Sequence, residues 1–68
     1  MATQKDMVID YILENGSITT LQAFREFGIT RLAARIADIE KSGHEVHRER
    51  VTHKNRYGKT VTYMRYWF

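Results

Sequence analysis

The chain has 68 residues, no cysteine, no proline and a formal net charge of +3 at pH 7. This length predicts one small domain over residues 1–68, and the lack of cysteine excludes disulfide bridges and thiolate metal sites. Charged residues interrupt the apolar residues near the N-terminus, so we expect no signal peptide and no membrane span, and a cytoplasmic location is the default.

The charge is distributed unevenly along the chain. Residues 1–29 carry two Lys or Arg against four Asp or Glu, whereas residues 30–68 carry nine against four. A basic second half behind an acidic first part indicates a molecule with one side facing a polyanion. An ordinary solvated surface gives the same composition, so charge alone leaves the partner open.

The first predicted helix covers residues 3–14. Thr3 and Asp6 have the spacing of a capping box, in which each side chain accepts a hydrogen bond from the other residue's backbone. Asn15-Gly16 ends the helix because both residues tolerate a left-handed backbone. An apolar stripe is expected to face the core and consists of Val8, Ile9, Ile12 and Leu13.

A second capping box, formed by Thr19 and Gln22, begins a second predicted helix that runs to about residue 27. The three residues 17–19 before it are β-prone and predict one short strand. An amphipathic helix of this length needs an apolar face of several side chains. The residues expected to be buried are Leu21, Ala23, Phe24 and Phe27.

A tight turn separates this helix from a third one over residues 30–42. Gly28 can take the positive φ that reverses the chain without steric cost. Ile29 is apolar within the turn, which implies that the turn packs on the core. Thr30 is expected to cap the third helix. Its apolar stripe is formed by Leu32, Ile36 and Ile39.

From His44 onward the residues favour strands. Two segments rich in Val, Thr and aromatic residues, 44–52 and 59–68, flank a turn at 53–58 and predict a β-hairpin. The first segment alternates poorly, so its register stays open. In the second segment one face carries Thr62, Met64, Tyr66 and Phe68, and the last three are expected to pack on the helices.

Two short helices joined by a tight turn have the layout of a helix-turn-helix, whose second helix enters the DNA major groove. Arg31 and Arg35 lie one helical turn apart, opposite the apolar stripe, and an arginine can bind guanine or phosphate with two hydrogen bonds. Ala34 permits close approach to DNA, and Thr30 lies where a helix N-terminus favours phosphate. The alternative is that both arginines are surface residues, one of them paired with Asp38.

Two further groups of residues are candidates for DNA contact. Lys54, Arg56 and Lys59 surround the turn of the hairpin and are expected to follow the DNA backbone or enter the minor groove. Solubilising charge is the alternative for these three. Thr19 and Thr20 at the start of the second helix are expected near phosphate, although capping is sufficient to explain them.

Other chemistry is poorly supported by the residues. His44 and His47 fall on opposite faces of a strand, so they cannot bind one metal ion together without a bulge. No glycine-rich phosphate loop is present, and no serine is placed beside a histidine. We therefore expect no catalytic residues, no metal, no cofactor, no small-molecule substrate and no membrane partner.

In their order and spacing, several segments resemble the small winged helix-turn-helix proteins of bacteriophages and prophages. The resemblance implies an α+β domain of three helices followed by a β-hairpin wing, with duplex DNA as the usual ligand. A recognition helix at 30–42 would lie in the major groove, and a wing at 53–60 would lie on the backbone or in the minor groove. The segments that carry it are 16–19, 23–29, 31–36, 42–46 and 63–66.

The resemblance implies a phage or prophage transcriptional regulator. Some small phage proteins use the same scaffold to bind proteins, so a phage-encoded inhibitor that occludes a host or defence complex is a second hypothesis. Its contacts would lie on the acidic first helix or on the outward face of the last strand, which carries Tyr63 and Trp67. A homodimer through this aromatic pair also stays open.

Overall fold

The computed structural model describes residues 3–68, which form three helices and one antiparallel sheet. The predicted order of elements is confirmed, including a short strand between the first two helices. Two residues of the predicted segment 17–19 form this strand. The helices are α1 (Gln4–Asn15), α2 (Thr20–Phe27) and α3 (Leu32–Lys41), and the strands are β1 (Ile18–Thr19), β2 (His47–Lys54) and β3 (Thr60–Trp67).

Both predicted capping boxes are present. The Thr3 hydroxyl accepts from the Asp6 backbone N–H at 3.2 Å, and the Asp6 carboxylate accepts from the Thr3 N–H at 3.3 Å. At α2, the Thr19 hydroxyl accepts from the Gln22 N–H at 3.0 Å, and the Gln22 side chain accepts from the Thr19 N–H at 2.9 Å. These bonds satisfy backbone donors that the first helical turn leaves without a partner.

The turn between α2 and α3 is fixed by Gly28 and Ile29. Gly28 has φ +67°, and its N–H donates to the Phe24 carbonyl at 2.9 Å. Ile29 is buried as predicted. The prediction that Thr30 caps α3 is wrong, because Thr30 lies in the bend and Arg31 holds the N-cap position, at φ −121° and ψ 57°, without a side-chain capping bond. Burial of Ile29 in the core fixes the direction of the chain at this point. The chain leaves the core after Ile29, and α3 begins only at Leu32.

The sheet has the order β1-β3-β2, with β3 in the centre. Ile18 pairs with Tyr66, and the β2–β3 register runs from His47 opposite Trp67 to Lys54 opposite Thr60. The first hairpin strand therefore lies at 47–54 rather than at the predicted 44–52, and the turn lies between residues 54 and 60.

Because directly opposed residues of an antiparallel pair share a face, this register defines two faces of the hairpin. One face carries Tyr66, which is buried beneath the helices, and we call it the inner face. We call the opposite face the outer face. The inner face consists of Arg48, Arg50, Thr52 and Lys54 on β2 with Thr60, Thr62, Met64 and Tyr66 on β3.

One apolar core joins the three helices to the base of the sheet. As predicted, Met64, Tyr66 and Phe68 all pack on it. Every helix between residues 3 and 68 is too short or too polar to cross a membrane. The buried residues are Val8, Ile12, Ile18, Ala23, Ile29, Leu32, Ile36, Ile39, Val46 and Tyr66.

Three apolar residues that were predicted to be buried are exposed. Leu13 of α1 is 70% exposed, and on α2 Leu21 is 47% and Phe24 is 61% exposed. A domain of this size buries a smaller fraction of its surface than a large domain does, about 60%, so each helix contributes only a narrow stripe to the core. That stripe is formed by Val8 and Ile12 on α1 and by Ala23 on α2, with flanking side chains left at the surface.

Candidate nucleic-acid interface

The surface of α3 that faces solvent carries two alanines in its first two turns and Glu40 and Lys41 at its C-terminal end. Leu32, Ile36 and Ile39 point into the core, which leaves Ala33 and Ala37 exposed on the other side of the helix. Ala34 is half-buried. Small side chains let a helix approach another molecule closely, but a methyl group donates no hydrogen bond to a base edge.

The two arginines of α3 are placed differently, contrary to the expectation that they project outward together. Arg31 is exposed at the N-cap, with no carboxylate within ion-pair distance in the described chain. The Arg35 side chain is 35% exposed, and its Nε lies 3.3 Å from Asp38 Oδ2. Its Nη1 also donates to Gln4 Oε1 at 3.5 Å. Because α1 packs against α3, the Arg35 side chain lies between the two helices and contacts both Gln4 and Asp38.

The three candidate threonines also have defined places. The Thr19 hydroxyl is engaged as the cap of α2, and the Thr20 hydroxyl donates to the Met64 carbonyl of β3 at 3.5 Å. Thr30 is exposed in the bend before α3. Phosphate contact by these residues stays a prediction, and Thr30 has the most accessible side chain of the three.

The turn of the hairpin is held in one conformation by Asn55. Its Oδ1 accepts from the Tyr57 N–H at 2.9 Å and from the Lys59 N–H at 3.1 Å, and its own N–H donates to the Lys59 carbonyl at 2.9 Å. Gly58 supplies the positive φ of +77° that this turn needs. The result is an ordered tip on which Lys54, Arg56 and Lys59 are exposed and Tyr57 is 79% exposed.

The ion pairs divide the basic residues into two groups. Three arginines have acidic partners, in the pairs Arg35–Asp38, Arg48–Glu40 and Arg65–Glu49. The chain has no Asp or Glu after residue 49, and the remaining cations of the hairpin have no carboxylate partner within the described residues. These unpaired cations are Arg50, Lys54, Arg56 and Lys59.

Arg50 was missed as a candidate from the sequence. Arg50 and Lys54 are four residues apart, and an even spacing places two residues on the same face of a strand. This spacing is the feature of the sequence that indicates Arg50. The predicted strand ended at residue 52, so Lys54 was assigned to the turn and the shared face was not recognised. In the structure both are exposed on the inner face of β2.

The outer face of the hairpin contains aromatic and histidine side chains that pack on one another. The rings of His47 and Trp67 stack at 5.7 Å, and the guanidinium of Arg65 lies 5.2 Å from the Trp67 ring centre. His53 contacts Tyr63 edge to face at 5.7 Å. Tyr63 and Trp67 share this face as predicted, and both are half-buried. Within residues 3–68, no three His, Cys, Asp or Glu residues lie together as a metal site would require.

Comparison with known proteins agrees with this geometry. A family model described as a winged helix-turn-helix domain matches residues 3–68, which is nearly the whole chain. No match was found among curated proteins or among solved structures. The winged helix-turn-helix fold is typically a DNA-binding, non-enzymatic fold, and α2, the turn at Gly28, α3 and the β2–β3 hairpin supply its parts. The chain belongs to the winged helix-turn-helix family.

Proposed function

We propose that this domain binds duplex DNA and acts as a transcriptional regulator of the phage or prophage type. The observation that carries the proposal is the unpaired positive charge of the hairpin, formed by Arg50, Lys54, Arg56 and Lys59. Phosphate neutralisation by Lys and Arg supplies most of the affinity of a protein for duplex DNA. A surface with four free cations and no carboxylate fits that partner.

Within this proposal, α3 and the hairpin have different roles. Arg31 lies at the N-terminus of α3, where recognition helices contact base edges and phosphates. The exposed alanines of α3 let its backbone approach the groove closely. Lys54, Arg56 and Lys59 contact the DNA backbone, and Arg35 acts as a positioning residue that holds α3 against α1 through Gln4.

The test is the salt dependence of binding to a fluorescently labelled random duplex of about 25 base pairs, measured by anisotropy. Each lost phosphate contact lowers the slope of log K against log salt by about 0.9. The Lys54→Gln/Lys59→Gln variant is therefore expected to lose about 1.8 from the slope. The control is Lys54→Arg/Lys59→Arg, which keeps both charges and is expected to keep the slope. If the intact domain does not bind duplex at micromolar concentration and low salt, the proposal is wrong.

One observation favours a protein partner as a second candidate function. Leu13 is exposed on α1, and so are Asp10, one helical turn before it, and Glu14, the next residue. The two carboxylates are complementary to a basic protein surface, and Leu13 between them would supply an apolar contact. A phage inhibitor that uses α1 would bind its target without binding duplex, and a Leu13→Gln variant would lose the target while keeping its stability.

A further inference from the structure

We propose that the β2–β3 hairpin reads DNA sequence through its inner face, lying as a two-stranded ribbon in the major groove. This inference rests on the proposed function, and it assigns the groove and the base-reading residues. It differs from the expectation that the hairpin follows the backbone or enters the minor groove. The residues assigned to reading are Arg50, Thr52, Thr60 and Thr62, whereas Lys54 at the end of β2 stays on the DNA backbone.

The shape of the hairpin supports this assignment. β2 and β3 have eight residues each, which corresponds to about 26 Å of strand. The whole domain measures 40 × 23 × 20 Å, so the hairpin extends well beyond the helical body. Met64 packs on the core and Thr62 is exposed, which places the end of the body between these two residues. A two-stranded ribbon fits the major groove, which is about 12 Å wide.

The side chains on the free part of the inner face are those that recognise base edges. Arg50 can donate to the O6 and N7 atoms of guanine. Thr52, Thr60 and Thr62 can donate or accept at their hydroxyls and can contact a thymine methyl group. All four residues are exposed, and Thr52 Oγ1 lies 3.3 Å from Thr62 Oγ1 across the ribbon. The hairpin contributes no carboxylate to this face, and Glu40 of α3 reaches only its base, where it pairs with Arg48, so the charge of the free part is complementary to DNA.

The other surfaces of the domain have fewer base-reading groups. The exposed side of α3 carries Ala33 and Ala37 with Glu40 and Lys41 at its end, and Arg35 lies beside Asp38. On the outer face of the ribbon the rings pack on one another and Arg65 pairs with Glu49, so fewer of its polar groups are free to meet bases. Arg31 is the only arginine of the turn and α3 that has no acidic partner in the described chain.

An ion pair links the ribbon to α3. Arg48, at the base of the inner face, pairs with Glu40 in the last turn of α3. The inner face therefore begins at the C-terminal end of α3, and the two elements border one surface.

The test begins by selecting preferred duplexes for the intact domain from a random pool. The selection is repeated with Thr52→Val/Thr62→Val, which removes two hydroxyls and keeps shape and strand propensity. The matched control is Val51→Thr/Val61→Thr, the reverse exchange on the outer face. All variants are first compared by circular dichroism and thermal melting. The inner-face variant is expected to lose at least about fivefold in preference at one or two base positions, with unchanged salt slope, whereas the control keeps the selected sequence.

A second measurement identifies the groove. Dimethyl sulfate methylates guanine N7 in the major groove and adenine N3 in the minor groove, so interference footprinting separates the two. We expect guanine N7 interference with the intact domain, and loss of that interference at one position with Arg50→Gln. Interference at adenine N3 alone would overturn the proposal.

The outcomes separate this inference from the proposed function. Two results would show that the ribbon does not read bases while DNA binding still stands. In the first, the intact domain binds duplex without sequence preference. In the second, the inner-face variant selects the original sequence and Arg31→Gln does not. If the intact domain binds no duplex, both proposals are wrong.

Discussion

The pair formed by Arg35 and Asp38 permits a sharp test of what α3 does. The pair is partly exposed and separated by three residues on one helix, so it contributes about 0.3–0.5 kcal/mol to the free energy of unfolding. Asp38→Asn is therefore expected to lower stability by at most this amount. It also removes a negative charge from the helix that we propose lies against DNA. At about 10 Å from a phosphate in water, that charge costs about 0.4 kcal/mol, so duplex affinity should rise about twofold.

Arg35→Gln should change duplex affinity in the opposite direction, and only slightly. If Arg35 only positions α3, its loss removes one distant positive charge, and the affinity falls about twofold. Arg31→Gln removes an exposed side chain that can contact DNA directly, and a bidentate base contact is worth about 1–3 kcal/mol. Arg31→Gln should therefore weaken binding more than fivefold, and Arg35→Gln should not.

Both effects are measured by anisotropy with one duplex at one salt concentration, beside urea melts of each variant. Asp10→Asn on the exposed side of α1 changes the net charge by the same unit and controls for it. A tenfold loss of affinity in Arg35→Gln that Gln4→Ala, which removes the same contact to α1, does not reproduce would show that Arg35 leaves Asp38 and contacts DNA. The assignment of Arg35 as a positioning residue would then be refuted.

Three further predictions concern the fold and are checked by thermal melting. Thr19→Ala removes the α2 cap and should cost about 1 kcal/mol, which is about 4–8 °C in Tm for a domain of this size. Gly28→Ala should cost about 1–2 kcal/mol because φ is +67°, and Gly28→Asn should cost less because Asn tolerates this conformation. Phe24→Ser should change stability by less than about 0.5 kcal/mol, since Phe24 is largely exposed, whereas Ile36→Ala should cost about 2–5 kcal/mol. Equal losses at Phe24 and Ile36 would contradict the assignment of the core.

Features set by neighbouring residues were predictable from the sequence. The capping boxes at Thr3 and Thr19 need only a residue three positions away, and the turn at Gly28 needs only a positive φ. Features set by packing were not. Arg35 reaches from α3 to Gln4 of α1, and no local pattern specifies the angle between two helices. Leu13 has the same local spacing as buried residues, and only the small size of the core leaves it outside.

The register of β2 could not be predicted for a physical reason that also bears on function. Alternation of apolar and polar residues indicates a strand when one face is buried and the other is exposed to solvent. Beyond Met64 the inner face covers nothing, so its side chains are free to be polar, and apolar residues lie on the outer face instead. There Val51 opposes Tyr63 and His53 opposes Val61, and these pairs stabilise the ribbon without the helices. A hairpin held together from its outer side leaves Arg50, Thr52 and Lys54 unconstrained by the core, and such residues are available to bind a ligand.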